Sequence, residues 1–156
     1  MIRLATGADI SRLVTMRWDF TIEDDPAKGE ASFLEFEEEC TTFLKDALTN
    51  NRWFIWVAEK EGRIVSHIYT ELVHKVPRPG RVTHPFLFMT NVYTSPEVRN
   101  EGIGSQLLQS IHQWIKDNQF EFAIVWPSDE AMPFYKRNGY QSCAEPLEFL
   151  SGKANE

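Results

Sequence analysis

The chain is poor in cysteine, in long apolar runs and in positive charge, and each shortage closes off a class of protein. Two cysteines, Cys40 and Cys143, in 156 residues are too few for the disulfide framework of a small secreted scaffold. Neither has a second Cys or a His at zinc-ligand spacing, and His67, His84 and His112 share no spacing suited to a metal, so two reduced thiols and no metal centre are expected. No apolar stretch approaches the ~18 residues that span a bilayer, and the first residues lack the basic-then-apolar layout of an export signal. The expectation is a cytoplasmic protein that does not engage a membrane. With 16 Lys and Arg against 23 Asp and Glu, the net charge of −7 argues against a nucleic-acid partner, because a phosphate backbone asks for a basic face. A cationic substrate suits that charge better.

What is present is the composition of a globular protein, 42% hydrophobic and 25% charged with no low-complexity tract. This length suits one domain over residues 1–156, with a single core.

The stretch that organises the rest runs from Val92 to Ile115. An aromatic and β-branched run over 86–94 reads as a buried strand, which Pro96 stops because proline cannot donate to a ladder. A loop with Arg99, Gly102 and Gly104 follows. Then Ile103, Leu107, Leu108, Ile111, Trp114 and Ile115 recur at helical spacing. The glycines remove side chains where the chain turns into the helix, so main-chain N–H groups and the positive end of the helix dipole can meet an anion, above all a phosphate. Arg99 would add a fixed cation. The pattern is neither a P-loop, whose lysine is missing, nor a dinucleotide fingerprint, which needs a third glycine.

Elsewhere, residues 2–4 suit a short strand. Thr6 and Asp9 stand at capping-box spacing before Ile10, Leu13, Val14 and Trp18, which marks helix one. The segment 19–30 holds Asp19, Glu23, Asp24, Asp25 and Glu30 with Pro26 and Gly29 and no periodicity, and reads as an acidic loop. Ser32 and Glu35 repeat the capping spacing ahead of helix two, whose apolar face carries Phe33, Phe36, Cys40, Phe43, Leu44, Ala47 and Leu48. Strands follow at 53–58 and 64–76, joined by a hairpin turn at Gly62. After the 86–94 strand and a helix over about 102–116, residues 121–126 return as a strand. A strand-helix-strand connection of that length implies parallel pairing with a right-handed crossover. Residues 130–137 suit a short helix that Gly139 ends, and 147–150 a last strand.

Thr94-Ser95-Pro96 followed by Arg99-Asn100-Glu101-Gly102-Ile103-Gly104 resembles the signature of the GNAT superfamily of acyl-CoA-dependent N-acetyltransferases, with threonine where valine is usual. A second element agrees: Ser128, Ala131, Tyr135, the basic pair Lys136-Arg137 and Gly139-Tyr140 hold the family's spacing, with serine in place of asparagine and tyrosine in place of phenylalanine. The resemblance implies an α/β fold with a mixed, mostly antiparallel sheet of six to seven strands and about four helices on both faces. A central parallel pair, 86–94 and 121–126, would splay apart to admit the pantetheine arm of acetyl-CoA. Val92, Tyr93, Thr94, Arg99, Asn100, Glu101, Gly102, Ile103, Gly104, Ser105, Ser128 and Tyr135 would then contact the cosubstrate, with unpaired main-chain groups of Val92 and Thr94 acting like an added strand's partners. Lys136 and Arg137 either pair with its phosphates or complement the dipole at their own helix end.

Acetyl transfer to an amine needs an uncharged nucleophile, a donor for the tetrahedral oxyanion and a proton for the departing thiolate. By resemblance Tyr135 is the proton donor, and the main-chain N–H of Val92 or Thr94 is the oxyanion donor. Glu71 is the first candidate for the base, with Asp24, Asp25, His74 and Asp129 as alternatives. The family also places the first two helices against the acceptor, which would bring Trp18, Asp24, Asp25 and Phe33 near a small cationic amine. A protein amine, another acyl group, or a non-catalytic acyl-CoA-binding module are the competing readings, and either a monomer or a homodimer is compatible with the sequence.

Overall fold

In the computed structural model, which describes residues 1–152, the chain divides into two compact units, the first from Met1 to Trp126 and the second from Pro127 on. The first unit is built on a five-stranded sheet in the order β1 (Ile2–Leu4), β2 (Trp53–Lys60), β3 (Arg63–Val73), β4 (Phe86–Thr94) and β5 (Ala123–Val125). Neighbours are antiparallel except β4 and β5, which run parallel through the helix that joins them. Its α-helices are α1 (Ile10–Asp24), α2 (Phe33–Ala47) and α3 (Ile103–Asp117).

Period-two alternation along β2 sorts the helices onto opposite faces. Ile55 and Val57 are buried with Leu13, Val14 and Met16 of α1 and Leu44 and Ala47 of α2. Phe54 and Trp56 point the other way, where their rings lie 5.0 and 5.4 Å from Trp114 of α3. Leu107, Leu108 and Ile111 are fully buried on that helix, and each such side chain stabilises the fold by roughly 1.5–3 kcal/mol.

The caps form where the sequence places them. Thr6 N–H donates to Asp9 Oδ2 at 2.7 Å, opening a single 3₁₀ turn over Gly7–Asp9 ahead of α1. Arg3 grips the same carboxylate with two N–H groups at 2.7 and 3.0 Å, and this donation holds Asp9 below the usual carboxylate range. At α2, Glu35 N–H donates to Ser32 Oγ at 3.3 Å.

Four expectations change. Residues 19–24 are helical rather than loop, since α1 continues to Asp24. Packing overrides the polar composition there: Trp18 lies edge-on to Phe33 at 5.1 Å, and Phe20 stacks on Tyr93 at 4.9 Å. The helix stops where Asp25 caps a 3₁₀ turn over Pro26–Glu30. Residues 147–150 form no strand; Leu147 and Phe149 are almost wholly exposed. The described residues therefore hold five strands instead of six or seven, and the parallel pair closes one end of the sheet rather than sitting at its centre.

The second unit contains the short helix α4 (Met132–Arg137). Tyr140 N–H donates to Tyr135 O at 3.1 Å and Gly139 N–H to Lys136 O at 3.2 Å, with Gly139 at φ 92°, so the glycine ends the helix in a left-handed turn as its position suggests. Both cysteines are free thiols, Cys40 half-buried and Cys143 exposed. Among the described residues no helix is long and apolar enough to cross a membrane.

Candidate functional site

β4 and β5 part company early. Their pairing runs only over Leu87, Phe88 and Met89 against Ala123, Ile124 and Val125, while β4 continues to Thr94. From Thr90 onward β4 has β3 on one side and, among the described residues, no strand on the other. Ser95 N–H donates to Val65 O of β3 at 2.8 Å, and alternation along an antiparallel strand turns the main-chain groups of Thr94 and Val92 to the opposite edge, where Thr94 O already accepts from Arg99 Nε. That edge can accept a ligand carrying amides, as the splayed pair requires.

Within this unpaired stretch β4 carries a bulge. His67 pairs with Tyr93 and Tyr69 with Thr90, so Asn91 and Val92 together face the single residue Ile68. Asn91 sits at φ 50°, in the left-handed region that a bulge residue often adopts.

The strand leads into a cradle. A 3₁₀ turn over Pro96–Val98 is followed by Asn100 at φ 66° and Gly102 at φ 81°, the latter capping α3. A Cβ built on Gly102 would meet nothing within 4 Å, so open space lies beside the helix end. Gln106 N–H donates to Gly102 O at 3.0 Å, and the amides of Ile103 and Gly104 occupy the first turn, where an α-helix supplies no carbonyl of its own. The helix dipole adds to their attraction for an anion. Glu101 turns its carboxylate to Lys60 at 2.6 Å.

Arg99 is fixed beside the cradle, but its charge is already paired. It donates to both carboxylate oxygens of Glu23, at 2.5 and 2.9 Å, and through Nε to Thr94 O at 2.9 Å, while its guanidinium lies 5.5 Å from the Tyr93 ring centre. Donation from Arg99 holds the Glu23 carboxyl below its ordinary value. Tyr93 in turn is buried between Phe20 and Arg99, so its ring packs against α1. The main-chain amides of the cradle are what remain to grip an anion.

Glu71 pairs with Trp53 on β2 and Phe88 on β4, and cross-strand partners share a face, so two aromatic residues flank its half-buried carboxylate. Phe88 stands four residues before Val92, about 13 Å along an extended strand. A proton passing from a group at Val92 to Glu71 would travel through water. Asp25 is engaged by Ala27 N–H at 3.2 Å as the cap of its 3₁₀ turn, and Asp24, His74 and Asp129 are exposed.

In the second unit, Tyr135 lies between Phe134 and Tyr140, with ring centres 5.1 and 5.5 Å away. Burial pushes its phenol up to about 12, so it carries its proton at neutral pH and is a donor. Ser128 Oγ accepts Ala131 N–H at 3.3 Å, which gives this serine a structural bond at the start of α4. Lys136 and Arg137 are exposed. No three His, Cys, Asp or Glu side chains gather as a metal would need among the described residues.

Sequence reasoning missed Glu23, whose i, i+4 neighbours do not point to Arg99, and the pair His67 and Asn91. The only signal for the last two was an asparagine in an otherwise β-branched and aromatic strand, a residue that tolerates positive φ.

The chain matches the family profile of the acetyltransferase (GNAT) domain over residues 51–142. No curated protein matches it in sequence. Among solved structures it is similar to a predicted acetyltransferase from Clostridium acetobutylicum determined with acetyl-CoA, at 26% identity and TM-score 0.79 over 100% of this chain and 99% of the other. A GCN5-related N-acetyltransferase from Ralstonia eutropha JMP134 superposes with TM-score 0.75 at 20% identity, over 97% of this chain and 99% of that one. An aminoglycoside acetyltransferase from an uncultured soil metagenomic sample, in complex with trehalose, shares the fold at 17% identity and TM-score 0.72, over 96% and 93% of the two chains.

Proposed function

Because the chain belongs to the GNAT acetyltransferase family, we propose that it moves an acetyl group from acetyl-CoA directly to a primary amine of a small cationic molecule. The observation that carries this reading is the free edge of β4 beyond Met89, which ends at the amide-lined entrance of α3. Residues there fit the cosubstrate: the cradle offers N–H groups to a diphosphate, and the Val92 carbonyl and Thr94 N–H meet the amides of a pantetheine arm. The Clostridium acetobutylicum relative, determined with acetyl-CoA, supports the choice of donor.

Each catalytic need has a candidate in this chain. Val92 N–H donates to the thioester oxygen as negative charge develops there, an interaction whose removal in other acyl-transfer enzymes costs about 10²–10³ in rate. Glu71 takes a proton from the ammonium form of the acceptor through water, leaving a neutral amine to attack. As the new C–N bond forms and the C–S bond breaks, the departing thiolate takes up a proton, for which the family resemblance names Tyr135, and the surplus proton on the product nitrogen returns to that donor through solvent. No covalent enzyme intermediate is needed.

The acceptor reading rests on the net charge of −7 and on the aromatic residues Trp18 and Phe33, which pack together at the α1–α2 turn. Release of CoA thiol, followed against a panel of aminoglycosides, polyamines, amino acids and lysine peptides, tests it. Turnover on at least one small polycation is the expected result. Tight acetyl-CoA binding with no turnover on any amine would favour the non-catalytic binding module instead.

A further inference from the structure

We propose that His67 is a positioning residue for this reaction, holding the main-chain N–H of Val92 in the direction that meets the thioester oxygen; the inference rests on the acetyltransferase reading above. His67 lies on β3, wholly buried, and its Nδ1 is 2.8 Å from the carbonyl oxygen of Asn91. A carbonyl only accepts, so Nδ1 carries the ring proton and Nε2 is bare. Nε2 is itself buried and meets no partner among the described residues. A proton there would charge a ring enclosed among Tyr69 and Tyr93, whose centres are 5.2 and 5.8 Å away. Enclosure thus keeps one neutral tautomer, with its single N–H aimed at Asn91.

The consequence follows from peptide geometry. The carbonyl of Asn91 and the N–H of Val92 belong to one planar trans unit and point in opposite directions. A bond that fixes the first also fixes the second. The carbonyl is drawn toward His67, so the N–H is turned away from it, toward the edge that β5 has left. This unit needs a holder, because Asn91 has a left-handed φ of 50° and sits in a bulge where the β3 ladder is interrupted. Arg17 of α1 steadies the same residue from outside by donating to Asn91 Oδ1 at 3.3 Å. Without the His67 proton, the carbonyl would be a half-buried acceptor lacking this bond. Rotation of the peptide plane would relieve it, and Val92 N–H would swing with it.

Two substitutions separate positioning from packing. His67→Leu keeps an apolar side chain in the site and removes the donor. His67→Asn leaves a larger gap and places an amide N–H close to where Nδ1 stands. Steady-state kinetics on the full chain should show kcat down about 10²-fold in His67→Leu, the scale of a lost oxyanion donor, with KM for acetyl-CoA little changed. His67→Asn should recover about tenfold of that loss, although it melts at a lower temperature than His67→Leu. If His67 merely filled space, activity would follow melting temperature in the opposite order.

A second readout does not depend on turnover. The Val92 amide resonance should move downfield when a ketone analogue of acetyl-CoA, unable to transfer its acetyl group, is added to wild type or His67→Asn, and should not in His67→Leu. Equal kcat in wild type and His67→Leu, or a Val92 shift alike in all three proteins, overturns the role of His67 and leaves the acetyltransferase reading intact. A wild type that binds the analogue and acetylates no amine overturns that reading, and the Val92 resonance still decides the role of His67.

Discussion

Arg99 Nη1 and Nη2 lie 2.5 and 2.9 Å from the two carboxylate oxygens of Glu23, and this fork ties the loop that enters α3 to the last turn of α1. The pair neutralises a cation beside the amides that would receive a diphosphate. Both side chains are 40% exposed, so the bond contributes at most about 1 kcal/mol to stability. Its effect on the local field is the larger one.

Glu23→Gln should therefore lower the KM for acetyl-CoA a few-fold at low ionic strength, with the gain fading above about 0.15 M salt as screening sets in. Thermal melting of the same variant checks the sign of the linkage. The folded-state carboxyl titrates below its unfolded value of 4.5, so its contribution is present above that pH and lost as pH falls through the lowered value. The melting difference between wild type and variant should close in acid. An affinity that falls on substitution would show that the pair shapes the loop rather than masks a cation.

His67 sets a second pH dependence, in a higher window. Burial lowers the ring from 6.5 to about 4, with the positive charges of Arg17 and Arg12 acting in the same direction. Between those values the unfolded chain binds a proton that the folded chain refuses, so stability falls as pH drops from about 6.5 to about 4, by up to about 3 kcal/mol. His112, half-buried near Lys116, is lowered too and adds in the same sense. Urea unfolding of wild type and His67→Leu across that range should give a markedly flatter profile for the variant.

Gly102 tests the cradle. Its φ of 81° is strained for any side chain, so Gly102→Ala should cost about 1–2 kcal/mol of stability. Nothing among the described residues lies within 4 Å of the added methyl group, so any loss beyond strain reports on the space it takes from a ligand. Calorimetric titration with CoA should show affinity weakened at least tenfold in Gly102→Val, where the larger side chain projects into the same space.

Tyr135→Phe tests the proton donor. Burial holds the phenol up to about 12, so the wild-type group stays protonated across the working range and its loss should not appear as a shifted pH optimum. The expected change is a fall in kcat of about 10²-fold, the lower end for general-acid catalysis, with KM for acetyl-CoA unchanged. Loss of affinity without loss of kcat would make Tyr135 a packing residue for the ligand.

Local rules carried most of the fold. Ser32 and Thr6 cap where their spacing says they should, β4 and α3 fall where hydrophobic periodicity and Pro96 set them, and β5 pairs in parallel with β4 as the strand-helix-strand connection implied. Long-range packing was not legible. The acidic composition of 19–24 hid a helix whose other face is filled by Phe20, stacked on a tyrosine more than 70 residues away in sequence. Alternating apolar residues at 147–150 suggested a strand, but alternation does not provide a neighbour to pair with. The bulge at Asn91 needed the β3 register, and the grip of Glu23 on Arg99 needed α1 to be one turn longer than composition implied.

Amide hydrogen exchange with and without acetyl-CoA tests most directly whether the unpaired edge of β4 and the first turn of α3 hold the cosubstrate. The predicted result is slowed exchange at Val92, Thr94, Ile103 and Gly104, with the β2 amides unchanged. Exchange at those four positions that is indifferent to saturating acetyl-CoA would contradict it.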